Sequence, residues 1–343
     1  MASNKHSQTY MIAATVAVAV LFVLNVTTGS VEIPLADIWD IVSGDETEKE
    51  TWRYIVLQSR IPAAITALLS GASLAVCGLM LQTSFNNPLA GPSIFGINSG
   101  ASLGVAVVLL FFGGSLSTDI LTLSGFVAII AGAIIGSLAV IALLLIFSRL
   151  IKSNVALLIV GIMVGYISSA AISILNFFAT DQSIASYVMW GMGSFNNVTI
   201  EHIPAFTSTT TVCIILSLLL IKPLNALLLG DSYARNLGIN TQHTRLLLLL
   251  LTGVQTAVTT AYCGPVAFIG LAVPHIARLS LHTDNQTELI PCTILTGSIM
   301  ALLCNWLSTM PSNGTIIPLN AITPLIGAPV IIYIVVKQRR SVR

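Results

Sequence analysis

The stretch RIPAAITALLSGASLAVCGLMLQTSFNNPLAGPSIFGINSGASLG, Arg60 to Gly104, decides the fold. Ile61 to Thr83 carries no charged residue. At about 1.5 Å per residue it is long enough to cross a bilayer. Gly71, Ala72, Ser73, Ala75 and Gly78 make one side of that helix small. In lipid this favours close contact with neighbouring helices, because apolar side chains gain little by exchanging lipid for protein. The turn from Asn86 to Pro92 then sets two prolines and a glycine where a helix would otherwise continue. Asn98, Ser99 and Ser102 carry polar groups into the next apolar run. At that depth such groups must be buried in protein or face a watery path.

The rest of the chain extends this reading. The 343 residues are 55% hydrophobic and 8% charged, with a mean hydropathy of +0.93. A soluble domain carries about 25% charged residues, so this is an all-α, polytopic membrane protein. The net charge of +1 offers no basic face to a nucleic acid. The five cysteines are scattered through apolar runs and read as small buried hydrophobes. Lys5 and His6 precede the apolar run Tyr10 to Val26, and no small-x-small cleavage site follows, so this reads as a retained first helix. Ten spans are expected, near 10–26, 61–83, 94–113, 122–148, 154–178, 203–221, 246–263, 267–281, 290–308 and 321–336. They form one transmembrane domain over 1–343, with a hydrophilic outer segment at 27–59. Within that segment Leu35, Ile38, Trp39 and Ile41 suit a short amphipathic helix on the membrane surface. With both termini in the cytoplasm, all but Lys49, Arg53 and Arg60 of the 14 lysines and arginines fall inside. The positive-inside rule selects that orientation. Gly100/Gly104, Gly132/Gly136 and Gly161/Gly165 are small-xxx-small pairs that favour packing within the chain over a dimer contact.

Three mechanisms separate by what the sequence lacks. An ion-coupled carrier usually sets ionisable groups inside its spans, whereas all 13 acids here lie in loops or at helix ends. An ATP-driven pump in one chain needs G-x-x-x-x-G-K-[ST]. The only lysine followed by Ser or Thr is Lys152, and Ile151 stands where the glycine must be. An integral-membrane enzyme needs a catalytic cluster. The five histidines, at 6, 202, 243, 275 and 282, form no H-E-x-x-H and no placeable triad, and His275 reads as a structural histidine at a helix break. No catalytic residue, metal site or resident cofactor is expected. What remains is a pathway worked by a partner. A stand-alone secondary or passive carrier is the alternative.

One cytoplasmic loop suits that partner: KPLNALLLGDSYARNLGINTQHTR, Lys222 to Arg245. Gly230-Asp231 can open a short helix, since an aspartate at a helix N-terminus complements its dipole and can cap it. Ser232 to Leu237 would be the helix and Gly238 its C′ stop.

The ordered motifs R-I-P at 60–62, G-A-S-L-A at 71–75, Q-T-S-F-N-N-P-L-A-G-P at 82–92 and G-I-N-S-G-A at 96–101 resemble one family. It is the permease subunit of bacterial ABC importers for iron-siderophore, haem and cobalamin (FecCD-type, or type II). Trp190, Gly193 and Ser194 resemble its W-x-x-G-S stretch. The run from Gly264 and Pro265 through Pro274 and His275 to Arg278 is the most diagnostic match. Thr323 and Ile326 to Pro329 are similar to the start of the last helix. The resemblance covers residues 10 to 340. It implies that Gly230, Asp231, Ala234, Arg235, Leu237 and Gly238 form a coupling helix docking into an ATPase subunit. It further implies that Ser153 and Asn154 sit at a cytoplasmic gate, and that Arg60 docks a binding protein. Asn87, Pro88, Asn98, Ser99, Gly264, Pro265, Pro274 and His275 are expected to shape the pathway or its scaffold.

The implied assembly is a homodimer in the bacterial inner membrane. It has two ATP-binding subunits, which hold ATP and magnesium, and one periplasmic or lipoprotein binding protein. Lipid is the remaining partner, and the motion is alternating access. Iron-siderophore is the expected cargo ahead of cobalamin and haem. Departures from the family pattern cluster on the outer side: Ala63 replaces a second arginine, and Asn305 and Thr309 replace an acid and a base. Ile316 to Asn320 replaces E-L-P-x-G. Asn305, Thr309, Ser312, Asn313, Thr315 and Asn320 would leave a neutral polar mouth.

Overall fold

The computed structural model describes residues 2–45, 49–113, 115–117, 122–151, 153–310 and 316–341. Helix α1 (Ala2–Thr27) is followed by α2 (Leu35–Ser43) and α3 (Glu50–Tyr54). A wide-wound segment (Ile55–Arg60) carries α3 without a break into α4 (Ile61–Phe85). Then come α5 (Ile97–Ala106, extended by the wide-wound Val107–Phe111), the hairpin β1 (Ser115–Ser117) and β2 (Thr122–Ser124), α6 (Phe126–Leu150), α7 (Asn154–Phe178) and α8 (Asp181–Gly191). The remainder is α9 (Ile203–Leu219), α10 (Ile221–Leu228), α11 (Asp231–Asn236), α12 (Thr241–Cys263), α13 (Ile269–Leu281), α14 (Gln286–Thr309) and α15 (Leu319–Ser341). β1 and β2 pair antiparallel, Ser115 opposite Ser124, in an otherwise all-α fold.

Among the described residues, six helices are long and apolar enough to cross a membrane. The α9–α10 pair, bent by 51°, is one further candidate, and Ile97–Phe111, Ile269–Leu281 and Leu319–Tyr333 are shorter apolar helices. Together they occupy the ten expected runs. The boundaries differ where packing overrides hydropathy. The second span starts at Glu50 rather than 61, and the fourth at Phe126, because 122–124 pair in the hairpin.

Helix α4 is the hub. In its most apolar window 83% of the residues are buried, against 22% in α7 and 17% in the first span. Its glycines explain this. A β-carbon on Gly71 would overlap the carbonyl of Gly297 in α14, and one on Gly78 the carbonyl of Gly270 in α13. Pro274 has no N–H to give the carbonyl four residues back, so the Gly270 oxygen is left on the surface that α4 approaches. α5 and α6 interlock the same way. A β-carbon on Gly100 would stand 2.6 Å from Gly136 O, and one on Gly132 2.9 Å from Gly104 O. Gly161 packs on the backbone of Ile94 and Phe95. These glycine pairs therefore serve packing within the chain.

Polar side chains in the bundle centre are matched across helices. Gln255 of α12 accepts at Oε1 from Ser73 Oγ (3.0 Å) and Cys77 Sγ (3.1 Å), and its Nε2 donates to Ser217 Oγ of α9 (3.0 Å). All five cysteines are buried. At one end of the bundle, Asn25 Nδ2 donates to Leu302 O (3.0 Å), and Asn305 Nδ2 donates to Asn25 Oδ1 (2.8 Å). α2 buries Ile38 and Ile41 and leaves Leu35 and Trp39 exposed. Ile38 and Ile41 thus face protein, so the amphipathic stripe expected at 35, 38, 39 and 41 is divided between two faces.

Candidate functional site

Helix α9 bends at Leu220, whose φ of −88° and ψ of 4° leave the helical region, and the chain turns into α10. Gly230 follows at φ 96° and ψ 157°, a conformation that a β-carbon disfavours strongly. α11 runs from Asp231 to Asn236 and stops at Gly238 (φ 81°). The Gly238 N–H donates to Arg235 O (2.9 Å) and the Ile239 N–H to Ala234 O (3.0 Å). Asn240 then caps α12, its Oδ1 accepting from His243 N (3.0 Å). The short helix and its Gly238 stop are those expected from sequence. Its entry differs: Gly230 occupies the N-cap position, and Asp231 makes no cap bond. Both carboxylate oxygens of Asp231 instead accept from Arg245 Nη2 (2.8 and 2.9 Å), clasping α11 to α12.

The helix has three faces. Ala234 is buried. Asp231, Arg235 and Gly238 line a cleft. Tyr233 is 50% exposed, and Leu229 and Leu237, which flank the helix, are 63% and 58% exposed. Sequence reasoning took Leu229 and Leu237 into the motif but missed Tyr233. Arg235 is exposed and lines the cleft.

The cleft, about 580 Å³, brings together residues that sequence alone placed apart. α11 contributes Asp231 and Arg235, α12 contributes Arg245 and Leu249, and the α6–α7 turn contributes Arg149 and Ser153. Phe85, at the end of α4, closes one wall. Ser153 is the N-cap of α7, its Oγ accepting from Ala156 N (3.3 Å). The expected gate and the expected coupling helix thus share one cavity. Lys152, Ser312, Asn313, Thr315 and the Asn154 side chain lie outside the described residues.

The remaining motif residues fall into two knots. At the cleft end of the bundle, Asn87 Oδ1 accepts from Leu89 N (2.9 Å), and Pro88 O meets His275 Nε2 (2.8 Å). Arg278 donates to Gln82 Oε1 (2.6 Å) and pairs with Asp284 (3.3 Å). His275 sits inside a continuous α13, so the expected helix break at Pro274 is absent. At the opposite end, Gly264 (φ 75°) packs on Trp190 and Gly193. There Pro265 O accepts from Asn320 Nδ2 (2.6 Å), and Ser194 N donates to Cys263 O (2.8 Å). Between the two, Asn98 Oδ1 accepts from Thr260 Oγ1 (3.1 Å), and Ser99 Oγ faces Gly165 of α7.

Arg60 is buried against the end of α1. It was expected to reach outward to a binding protein, but it is only 7% exposed. Its Nη1 donates to Val26 O (3.1 Å) and Thr27 O (3.0 Å), and its Nη2 donates to Val31 O. These include the last carbonyls of α1, which no helical N–H reaches, and a cation there complements the helix dipole. Gly29 crosses the guanidinium so closely that a β-carbon would meet it at 3.1 Å. A fork consumed in this way has little left to offer a partner's carboxylate.

Residues 17–337 match the model of the FecCD transport family. The vitamin B12 import system permease protein BtuC of Photorhabdus laumondii is 34% identical over 291 residues, 84% of each chain. The hemin transport system permease protein HmuU of Yersinia pestis is 31% identical over 314 residues, 91% of each. Among solved structures, an inward-facing metal-chelate type ABC transporter superposes with a TM-score of 0.82 at 28% identity, covering 95% of this chain and 98% of the other. PsaBC from Streptococcus pneumoniae shares the fold with a TM-score of 0.56 at 16% identity.

Proposed function

The chain belongs to the FecCD transport family, and from that premise we propose that it carries an iron-siderophore across the bacterial inner membrane as half of a permease homodimer. It is a multi-pass permease of the type II ABC importer family and not an enzyme. Such a permease implies an ATPase and a substrate-binding partner. The observation that carries the reading is the α9–α11 elbow, which ends in the exposed apolar side chains Leu229, Tyr233 and Leu237. An apolar patch on a loop rich in polar residues is the form a docking surface takes. We place that loop and both termini in the cytoplasm on the lysine and arginine distribution. Two ATP-binding subunits would grip these side chains of the two copies, and one binding protein would deliver cargo on the other side.

The pathway wall in this proposal is α7. Tyr166, Ser169 and Ser173 form an exposed polar stripe on a helix whose other exposed residues are apolar, including Ile159, Ile167 and Phe177. Polar groups at mid-span are disfavoured against lipid tails, which fits a face turned to water or to a second copy. Cobalamin and haem, which the names of the relatives above mention, are the competing cargoes.

Two measurements test this. Tyr233→Asp should abolish co-purification of the ATPase subunit while leaving membrane insertion intact; undiminished co-purification would refute the docking face. Uptake by the reconstituted assembly of a ferric siderophore, cobalamin and haem, each delivered by the cognate binding protein, identifies the cargo. Transport by the chain alone in liposomes without ATP would establish the stand-alone carrier instead.

A further inference from the structure

The cleft behind α11 is basic. Arg149, Arg235 and Arg245 line it against one carboxylate, Asp231. Among the described residues that carboxylate pairs only with Arg245, and neither Arg149 nor Arg235 meets an acid. Arg245 also keeps its Nε–H buried without an acceptor. The lining also has an apolar part, with Phe85, Leu157 and Leu249. Beside the same turn, Ile146 and Leu150 of α6 and Val155 of α7 are exposed apolar side chains. The ligand this arrangement fits has an oxyanion at one end and hydrocarbon at the other.

We propose that the cleft binds the phosphate of an anionic phospholipid drawn from the inner leaflet. A guanidinium fork donates two parallel hydrogen bonds to a phosphate, which a compact ammonium cannot do. Basic pockets between membrane helices at the cytoplasmic side collect such headgroups. Free phosphate shares the headgroup chemistry but would leave the apolar part of the lining and the exposed α6 and α7 side chains uncovered. A phosphate held between Arg149 and Arg235 would join the α6–α7 turn to α11, so the lipid would become part of the link between coupling helix and gate. The inner-leaflet placement rests on the orientation proposed above.

The test is native mass spectrometry of the purified full chain, stripped of lipid and offered equimolar phosphatidylglycerol and phosphatidylcholine. The wild-type chain should retain one phosphatidylglycerol with about tenfold preference, and Arg149→Gln with Arg235→Gln should remove that preference. Both side chains are exposed, and an unchanged thermal midpoint confirms that the double variant folds. Equal retention of the two lipids, or a preference surviving in the double variant, overturns the proposal. So does binding of inorganic phosphate alone that depends on the same arginines with no preference between the lipids. Tyr233→Asp should lose the ATPase and keep the lipid, so failure of the docking reading and failure of this one give different results.

Discussion

Replacing Asp231 by Asn tests whether α11 works as a lever. The carboxylate holds Arg245 at 2.8 and 2.9 Å, with the aspartate side chain 35% exposed and the arginine 20%. A fully exposed pair contributes up to about 1 kcal/mol. Breaking a buried pair costs roughly 3–5 kcal/mol. Partial exposure puts this one between, near ~2 kcal/mol, and the amide oxygen of asparagine recovers about 0.5 kcal/mol as a neutral acceptor. The remaining ~1.5 kcal/mol corresponds to about a tenfold shift from clasped to unclasped α11. The assay is cargo imported per ATP hydrolysed in proteoliposomes holding the complete importer. Hydrolysis should persist while import per ATP falls roughly five- to tenfold. The thermal midpoint should barely move, because α11 is six residues with one buried side chain. The charge-swapped pair Asp231→Arg with Arg245→Asp should restore most of the coupling. If the swap is merely the sum of its two single substitutions, or if Asp231→Asn imports normally, the clasp has no part in transmission.

Three further outcomes follow from the packing. Gly78→Ala drives a β-carbon into the Gly270 backbone, and the helices must part by an ångström or more. Fluorescence-detected gel filtration should show loss of folded protein, consistent with a cost above about 3 kcal/mol. Arg60→Gln strands the Val26, Thr27 and Val31 carbonyls at about 2 kcal/mol, lowering the melting temperature. Binding-protein affinity should change less than twofold at low and high salt; a large salt-sensitive loss would return Arg60 to the docking face. Asn305→Leu leaves Asn25 Oδ1 without its donor and should cost about 1–2 kcal/mol in thermal stability, with no change in ATPase co-purification.

Hydropathy made the spans readable because lipid imposes a length and an apolar composition on each of them, and the small side of α4 at Gly71 and Gly78 announced its close contacts. The glycines bracketing α11 were readable too, since each marks a backbone angle that other residues avoid. Arg60 was not. Its sequence position near a hydrophilic loop says nothing about a guanidinium folded back onto the end of α1, a contact 33 to 34 residues away in the chain. The cleft was equally hidden, because Arg149 and Arg245 are far apart in sequence and meet only through the crossing of α6 and α12. The Asp231–Arg245 clasp spans 14 residues and depends on the turn at 237–240, so helical periodicity does not predict it.

One helix joins the two ends of the mechanism. α7 starts beside Ser153 in the cleft and runs 25 residues to Phe178, about 37 Å at 1.5 Å per residue. Its polar stripe at Tyr166, Ser169 and Ser173 lies along the middle of that length. A tilt of about 5° about the cleft end would move the far end by roughly 3 Å, a displacement typical of packed helices shifting between discrete states. The bundle centre does not offer a competing route. Gln255 there is committed to Ser73, Cys77 and Ser217, and opening a channel there would break all three bonds. A single helix face cannot enclose a bulky solute, so in the proposed mechanism the opposite wall comes from another molecule. In the proposed homodimer a second copy turned through 180° would supply the same stripe, set both elbows toward the same side of the membrane, and let two ATPase subunits move both walls at once.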